Sequence, residues 1–93
     1  DQDTVFEATG ANEYIGVGIG VAEITVKVTM DGERIASVEI LEQTETPGIS
    51  DPAIVQMPSR IAEAGSTQVD IVSGATKTSR GIIAAVEDAL SKR

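Results

Sequence analysis

The stretch from Ala22 to Met30 alternates apolar and polar side chains, and this alternation constrains the fold more than any other feature of the chain. Successive side chains of a strand point to opposite faces, so the pattern predicts a half-buried antiparallel strand with one wet face. Asp31 and Gly32 follow at once, and an Asp-Gly pair is typical of a hairpin turn. The return strand is predicted over Arg34 to Glu42. Its expected core residues are Ala36, Val38 and Ile40.

A second strand is predicted from Tyr14 to Gly20, where every second residue from Gly16 onward is glycine. Glycine along one face of a strand indicates that another group approaches that face closely. The spacing lacks the pattern of a dinucleotide-binding fingerprint, and no helix follows it. Further upstream, a short strand is predicted over Thr4 to Ala8.

The second half of the chain has helical patterns. Ser50 is predicted to cap a short helix that ends near Met57. Pro58 has no amide hydrogen and disrupts a regular helix, so a separate turn is expected after it, with Ile61 and Ala62 facing the core. The sequence therefore predicts a broken helix in this region.

The last third of the chain is predicted to contain a short buried strand and a closing helix. The strand covers Val69 to Val72, and the helix runs from a cap at Thr78 or Ser79 to about Ser91. The expected buried face of this helix consists of Ile82, Ile83, Val86, Ala89 and Leu90. The order of elements indicates an α+β fold, in which a C-terminal helix and a short broken helix pack on an antiparallel β-sheet.

Composition excludes several classes of function. The chain of 93 residues carries 7 Lys+Arg and 15 Asp+Glu, and the net charge of −8 disfavours nucleic acid and anionic lipid as partners. It has no cysteine and no histidine, so it offers no thiolate nucleophile, imidazole base or soft metal site. No apolar run is long enough to insert into a bilayer. Its chemistry must come from backbone amides, hydroxyls, carboxylates or a borrowed cofactor.

The segment from Asp70 to Ser79 has the densest cluster of groups that can bind an anion. It leads through Gly74 and Ala75 into a helix N-terminus, where unpaired amides and the helix dipole favour a phosphate. An ordinary connection with redundant helix caps remains the alternative, and the spacing is not that of a P-loop. Hydroxyls and positive charges come from Ser73, Thr76, Thr78, Ser79, Lys77 and Arg80.

The run Asp70-Ile71-Val72-Ser73-Gly74-Ala75-Thr76 resembles the flavinylation motif of the FMN-binding domain family. That family includes domains of the Nqr and Rnf electron-transport complexes and of flavin-dependent reductases such as fumarate and urocanate reductases. Glu45-Thr46-Pro47-Gly48 is similar to its Glu-Thr-Pro-Gly loop, and Gly32 to Leu41 is similar to its hairpin. The resemblance covers most of the chain, from about Tyr14 to Leu90.

The resemblance implies that Thr76 carries FMN through a phosphoester to its hydroxyl. A separate flavin transferase, which uses FAD and Mg²⁺, would form that bond, since a threonine hydroxyl is a poor nucleophile without a base. Asp70 would be recognised by that transferase. Further residues implied to contact the phosphate or to take part in recognition are Ser73, Gly74, Ala75, Lys77, Thr78 and Ser79.

The loop Glu45-Thr46-Pro47-Gly48 is implied to lie against the isoalloxazine ring of FMN. Pro47 is rigid and Gly48 permits close backbone approach, so the loop can place amides near the polar edge of the ring. Phe6 and Tyr14 are the only aromatic residues of the chain, so no aromatic sandwich is expected around the ring. The ring would lie partly exposed, as suits electron exchange with another protein.

The function implied by the resemblance is that of an electron-transfer flavin carrier, which is not an enzyme on its own and has no catalytic residue or metal site. Residues 1–93 would form a single FMN-binding domain of the kind found within longer flavoproteins. It would exchange electrons with a partner protein or domain on the extracytoplasmic side of a membrane. Two alternatives stay open: a reversible, non-covalent FMN-binding module, and a non-flavin interaction domain whose 73–76 loop is only a helix cap.

Overall fold

The computed structural model of the chain describes residues 12–43 and 51–93. The elements in these ranges are β1 (Glu13–Ile19), β2 (Glu23–Asp31), β3 (Arg34–Gln43), α1 (Asp51–Ala64) and α2 (Thr76–Leu90). The strand predicted over Thr4–Ala8 and the cap predicted at Ser50 lie outside the described residues. None of the helices in the two ranges is long and apolar enough to cross a membrane.

The three strands form one antiparallel sheet, in which β2 lies between β1 and β3. α1 packs mainly against β3, and α2 packs against β1 and β2. Both helices therefore cover one face of the sheet, and the predicted α+β fold is confirmed. The strongest sequence pattern marks the centre of the core, since Ile24, Val26 and Val28 of β2 are fully buried.

The β2–β3 hairpin differs from the prediction at one core position. The predicted core residue Ala36 is exposed, and Ile35 is buried in its place. Met30 pairs with Ile35 and Thr29 pairs with Ser37, so Ala36 is the extra residue of a β-bulge. A bulge shifts the alternation of faces by one residue. The two-residue alternation of the sequence therefore predicted Ala36, and not Ile35, as the core residue.

The helix α1 runs without interruption through Pro58, so the predicted break is wrong. Ala53, Met57 and Ile61 follow each other at intervals of four residues, and all three are fully buried. Proline in a helix removes the hydrogen bond to the carbonyl of residue i−4, here Ile54, at a cost of about 3 kcal/mol. Burial of large apolar side chains stabilises by about 1.5–3 kcal/mol each, so the continuous apolar face offsets that cost.

The glycines of β1 bring the strand into direct contact with α2. A Cβ atom on Gly16 would lie 2.8 Å from Ala89 Cβ and still closer to the carbonyl oxygen of Ala85. A Cβ atom on Gly18 would lie 3.0 Å from Ala85 Cα and closer to the carbonyl oxygen of Gly81. The predicted close approach to this strand is confirmed, and the approaching group is the small-residue face of α2.

The outer edge of β1 is held to the last turns of α2 by side chains. The amide of Val17 donates a hydrogen bond to Asp88 Oδ2 at 2.9 Å. Lys92 Nζ donates to the carbonyl of Ile15 at 2.7 Å and lies 3.5 Å from Asp88 Oδ2. The Val17 amide and, to a smaller extent, Lys92 hold the pKa of Asp88 below its usual value of 3.8, although some loss of hydration at the carboxyl opposes this.

Substitution of Asp88 tests these contacts between β1 and α2, because their contribution to the free energy of unfolding depends on pH. A carboxyl with a lowered pKa in the folded state stabilises the fold above its unfolded pKa, and this contribution is lost as the pH falls through the folded pKa. We expect Asp88→Asn to lower the free energy of unfolding by about 0.5 kcal/mol near neutral pH, because the group is well exposed to screening solvent. The difference from wild type should shrink as the pH falls below 3.8.

Urea denaturation across this pH range measures the effect. Asp31→Asn is the matched control, because Asp31 is an exposed carboxylate at the hairpin and the substitution removes the same charge. An equal loss of stability at all pH values for Asp88→Asn would contradict a contribution from the charged form.

Both helices start at the same end of the sheet. β3 ends at Gln43, and because β1 and β3 are both antiparallel to β2, β1 ends at the same end of the sheet. Near the start of α2, Gly81 contacts Gly20, which follows β1. At the opposite end, the carbonyl of Gly65, just after α1, accepts a hydrogen bond from the Ile35 amide at 3.1 Å. The fold therefore brings the helix N-termini together with the last residue of β3, at what we call the Gln43 end.

Candidate functional site

The segment that leads to α2 belongs to none of the described strands, so the strand predicted over Val69–Val72 is wrong. Two of its carbonyls are bound by a side chain. The guanidinium of Arg60, on α1, donates from Nη1 to the carbonyl of Asp70 at 3.1 Å and lies 3.4 Å from that of Ile71. Val72 is buried against the core, while Asp70 is exposed.

The helix α2 starts earlier than predicted. Its first residue is Thr76, and the residue at the cap position is Ala75. The predicted caps at Thr78 and Ser79 are therefore wrong, because both lie within the first turn with almost fully buried side chains. Ser79 Oγ accepts a hydrogen bond at 3.1 Å from the amide of Val72, which ties the start of the helix to the preceding segment.

The structure divides the predicted phosphate-binding residues into two groups. Ala75, Thr78 and Ser79 are buried, so their side chains face the interior of the protein. Gly74 has a φ of 86°, a backbone angle that residues other than glycine rarely adopt, and a Cβ there would meet nothing within 4 Å. The exposed members of the loop are Ser73, Gly74, Thr76 and Lys77.

The start of α2 has the donors that a phosphate requires. In the described part of the chain no side chain caps this helix, and no acidic residue lies in its first turn. The first amides of a helix and its dipole attract an anion. Lys77 and Arg80 are exposed on the first two turns and add positive charge in a chain of net charge −8. These groups fit a phosphate ester on the Thr76 hydroxyl.

A cavity of about 410 Å³ opens at the Gln43 end, between β3 and the first turns of α1. The side chains of Ile40, Leu41 and Ile54 give it apolar walls, and Glu42 and Gln43 add polar groups. The cavity is wide open and its lining is about equally polar and apolar, so it offers a partly exposed surface for an aromatic ring and does not enclose it. Glu45, Thr46, Pro47 and Gly48 follow Gln43 along the chain but lie outside the described residues, so their contact with the ring stays a prediction.

Comparison with known proteins assigns this chain to a family. Residues 20–91 match the FMN-binding domain family. The chain belongs to that family. The resemblance that the Asp70–Thr76 motif carried is confirmed, and FMN is the cofactor of this domain. A non-flavin interaction domain, one of the two alternatives left open by the sequence, is therefore set aside.

Three relatives match this chain over most of its length. NADH:acrylate oxidoreductase of Vibrio harveyi is 28% identical over 81 residues, which cover 86% of this chain and 8% of that protein. Urocanate reductase of Eggerthella lenta is 33% identical over 82 residues, 87% of this chain and 14% of the relative. An uncharacterized protein of Treponema pallidum is 31% identical over 91 residues, 98% of this chain and 23% of the relative. This chain thus spans less than a quarter of the length of each.

Sequence reasoning missed Arg60 altogether, and it missed the contact that Ser79 makes in the fold. Arg60 binds carbonyls ten and eleven residues further along the chain, and no local motif marks such a contact. Ser79 was predicted to bind the phosphate, but the structure shows it as an acceptor for the Val72 amide. A signal for Ser79 existed in the apolar helix period, which places residue 79 three residues before the buried Ile82.

Proposed function

We propose that this domain is an electron-transfer module whose FMN is attached covalently to Thr76. The observation that carries the proposal is the position of Thr76, an exposed hydroxyl on the first residue of a helix whose N-terminus no described side chain caps. A phosphate on that oxygen would lie at the helix N-terminus, where the first amides and the helix dipole favour an anion. Lys77 and Arg80 would offset part of its charge.

Attachment requires a catalyst that the chain does not contain. A threonine hydroxyl needs a general base, and the sequence has neither histidine nor cysteine. We propose a flavin transferase that uses FAD and Mg²⁺. The Thr76 oxygen forms a bond to the FMN phosphorus of FAD, the pyrophosphate bond breaks, AMP leaves, and the hydroxyl proton passes to a base of the transferase. The exposed Asp70 and Ser73 are placed where that enzyme could contact them.

The ring is proposed to lie at the Gln43 end, between the start of α2 and the cavity beside β3. Ile40, Leu41 and Ile54 would contact its apolar part, and the Glu45-Thr46-Pro47-Gly48 loop would bind its polar edge. The cavity is open to solvent, and none of its lining residues in the described part of the chain is aromatic, so the covalent link would supply retention that these contacts alone do not. FMN supplies the redox chemistry, and the protein holds it where a partner can reach it.

The proposed role is that of a carrier between two partners. Two of the relatives are named as an oxidoreductase and a reductase, and this chain matches only a small part of each. We therefore propose that the domain passes electrons to or from another protein or domain, and we propose an extracytoplasmic location. The acidic surface, with its net charge of −8, would favour basic docking partners.

Expression with and without a flavin transferase tests the proposal. We expect the domain made with the transferase to keep its flavin absorbance after denaturation and desalting, with a mass increased by that of FMN minus water. The domain made without the enzyme should lose any flavin on the same treatment. Flavin that separates from the polypeptide in both samples would instead indicate a reversible FMN-binding module.

A further inference from the structure

The Arg60 side chain connects α1 to the segment before the proposed attachment residue. Its Nη1 donates to the Asp70 carbonyl at 3.1 Å and reaches the Ile71 carbonyl at 3.4 Å. Its Nη2 donates to Gln56 Oε1 at 3.0 Å, one turn earlier on α1, and this contact orients the guanidinium. Nη1 carries two hydrogens and can donate to both carbonyls while Nη2 stays bound to Gln56, and a lysine ammonium cannot match this planar arrangement of donors.

Beyond Ile71, hydrogen bonds connect the segment to the start of α2. The amide of Val72 donates to Ser79 Oγ at 3.1 Å, and the carbonyl of Val72 accepts from the amide of Ala75 at 3.1 Å. The segment pairs with none of the described strands, and these bonds together with the Arg60 contacts hold its backbone in place. A shift of the Asp70 and Ile71 backbone would therefore be transmitted to Ala75, the residue before Thr76.

We propose that Arg60 is a positioning residue for flavin attachment, an inference that rests on the proposed function. By binding backbone carbonyls, Arg60 holds the Asp70–Thr76 segment in one conformation and leaves the carboxylate of Asp70 exposed for the transferase. Without Arg60 the segment would populate several conformations, of which only a fraction could bind the enzyme. Loss of a competent fraction raises the apparent KM for the acceptor and leaves kcat unchanged.

The chain offers a matched control for this role. Arg34 also donates from its guanidinium to a backbone carbonyl, that of Glu63 at 2.7 Å. This contact lies at the end of α1, away from the Gln43 end, so Arg34→Gln removes the same type of bond without touching the Asp70–Thr76 segment. A general loss of stability would impair flavinylation of both Arg60→Gln and Arg34→Gln. Loss of positioning would impair it in Arg60→Gln alone.

Steady-state flavinylation of the purified domain by the transferase is the first measurement. Two hydrogen bonds to a charged group predict a KM for Arg60→Gln raised about tenfold, with kcat within about twofold of wild type. Arg60→Lys should restore part of the loss, and Arg34→Gln should match wild type. An unchanged KM for Arg60→Gln, or an equal rise for Arg34→Gln, would overturn the proposal.

Amide hydrogen exchange of the unmodified domain is the second measurement, and it needs no flavin. Arg60→Gln should speed exchange of the Val72 and Ala75 amides about tenfold, with little change in the core amides of β2. Arg34→Gln should leave both amides protected. Unchanged exchange in Arg60→Gln refutes the positioning role even if wild type takes up no flavin, so failure of this inference is distinct from failure of the proposed function.

Discussion

Replacing Gly18 by alanine is expected to destabilise the domain by about 3 kcal/mol or more, the upper range for overpacked cores. The new Cβ would lie 3.0 Å from Ala85 Cα and closer to the carbonyl oxygen of Gly81 and the amide of Ala85. These are backbone atoms of α2, which cannot rotate away as a side chain could. The strand and the helix would have to separate, and water or voids would enter the core.

Urea denaturation followed by far-UV circular dichroism measures the loss. Val17→Ala is the control on the same strand, because Val17 points to the opposite face and is 39% exposed. We expect this control to lose less than about 1 kcal/mol, as is usual for exposed strand positions. A Gly18→Ala domain as stable as Val17→Ala would show that β1 and α2 do not pack as closely as described.

The same substitution affects the proposed site, since Gly18 contacts the helix that begins with Thr76. If the domain still folds, α2 must move outward relative to β1, and the first turn of the helix moves with it. The close contact between β1 and α2 thus contributes to stability and also fixes the position of Thr76, the proposed attachment residue.

Thr76→Ala is expected to abolish covalent flavin, lowering its incorporation at least about 100-fold, because the alanine side chain has no oxygen to form the phosphoester. Thr76 is exposed on the first turn of α2, so the change should alter stability by no more than about 0.5 kcal/mol. Loss of flavin could then not be attributed to loss of the fold. Thr76→Ser keeps the hydroxyl and should retain incorporation at a reduced rate.

In-gel flavin fluorescence after co-expression with the transferase measures covalent flavin incorporation in these variants. Thr67→Ala is the matched control, because it removes a hydroxyl that donates to Glu87 Oε2 at 3.3 Å, away from the Asp70–Thr76 segment. It should be labelled like wild type. Fluorescence in Thr76→Ala equal to that of Thr67→Ala would place the flavin on another residue.

Local periodicity predicted the central part of this fold. The alternation from Ala22 to Met30 and the Asp31-Gly32 pair identified the β2–β3 hairpin, and the glycines of β1 indicated a close contact. The bulge at Ala36 was not predictable in this way, because it depends on how two strands pair. Pro58 was misjudged because local propensity disfavours a proline in a helix, whereas the buried apolar face of α1 maintains it.

The part of the candidate site that lies within one continuous motif was predictable from the sequence. Asp70 to Thr76 and the helix after it could be recognised because their residues are contiguous and their types match a family pattern. The true start of α2 and the inward orientation of Thr78 and Ser79 depend on packing under the helix, which the hydroxyl-rich sequence does not reveal. The Arg60 contacts join residues of α1 to a later segment, so they required the folded structure.

Tandem mass spectrometry of the protease-digested, flavinylated domain identifies the residue that carries the flavin. We predict a single modified peptide, in which fragment ions place the mass of FMN minus water on Thr76 and leave Ser73 and Thr78 unmodified. Flavin on Ser73 or on another residue would contradict the assignment of the attachment site. A completely unmodified polypeptide from an active transferase would contradict the covalent carrier itself.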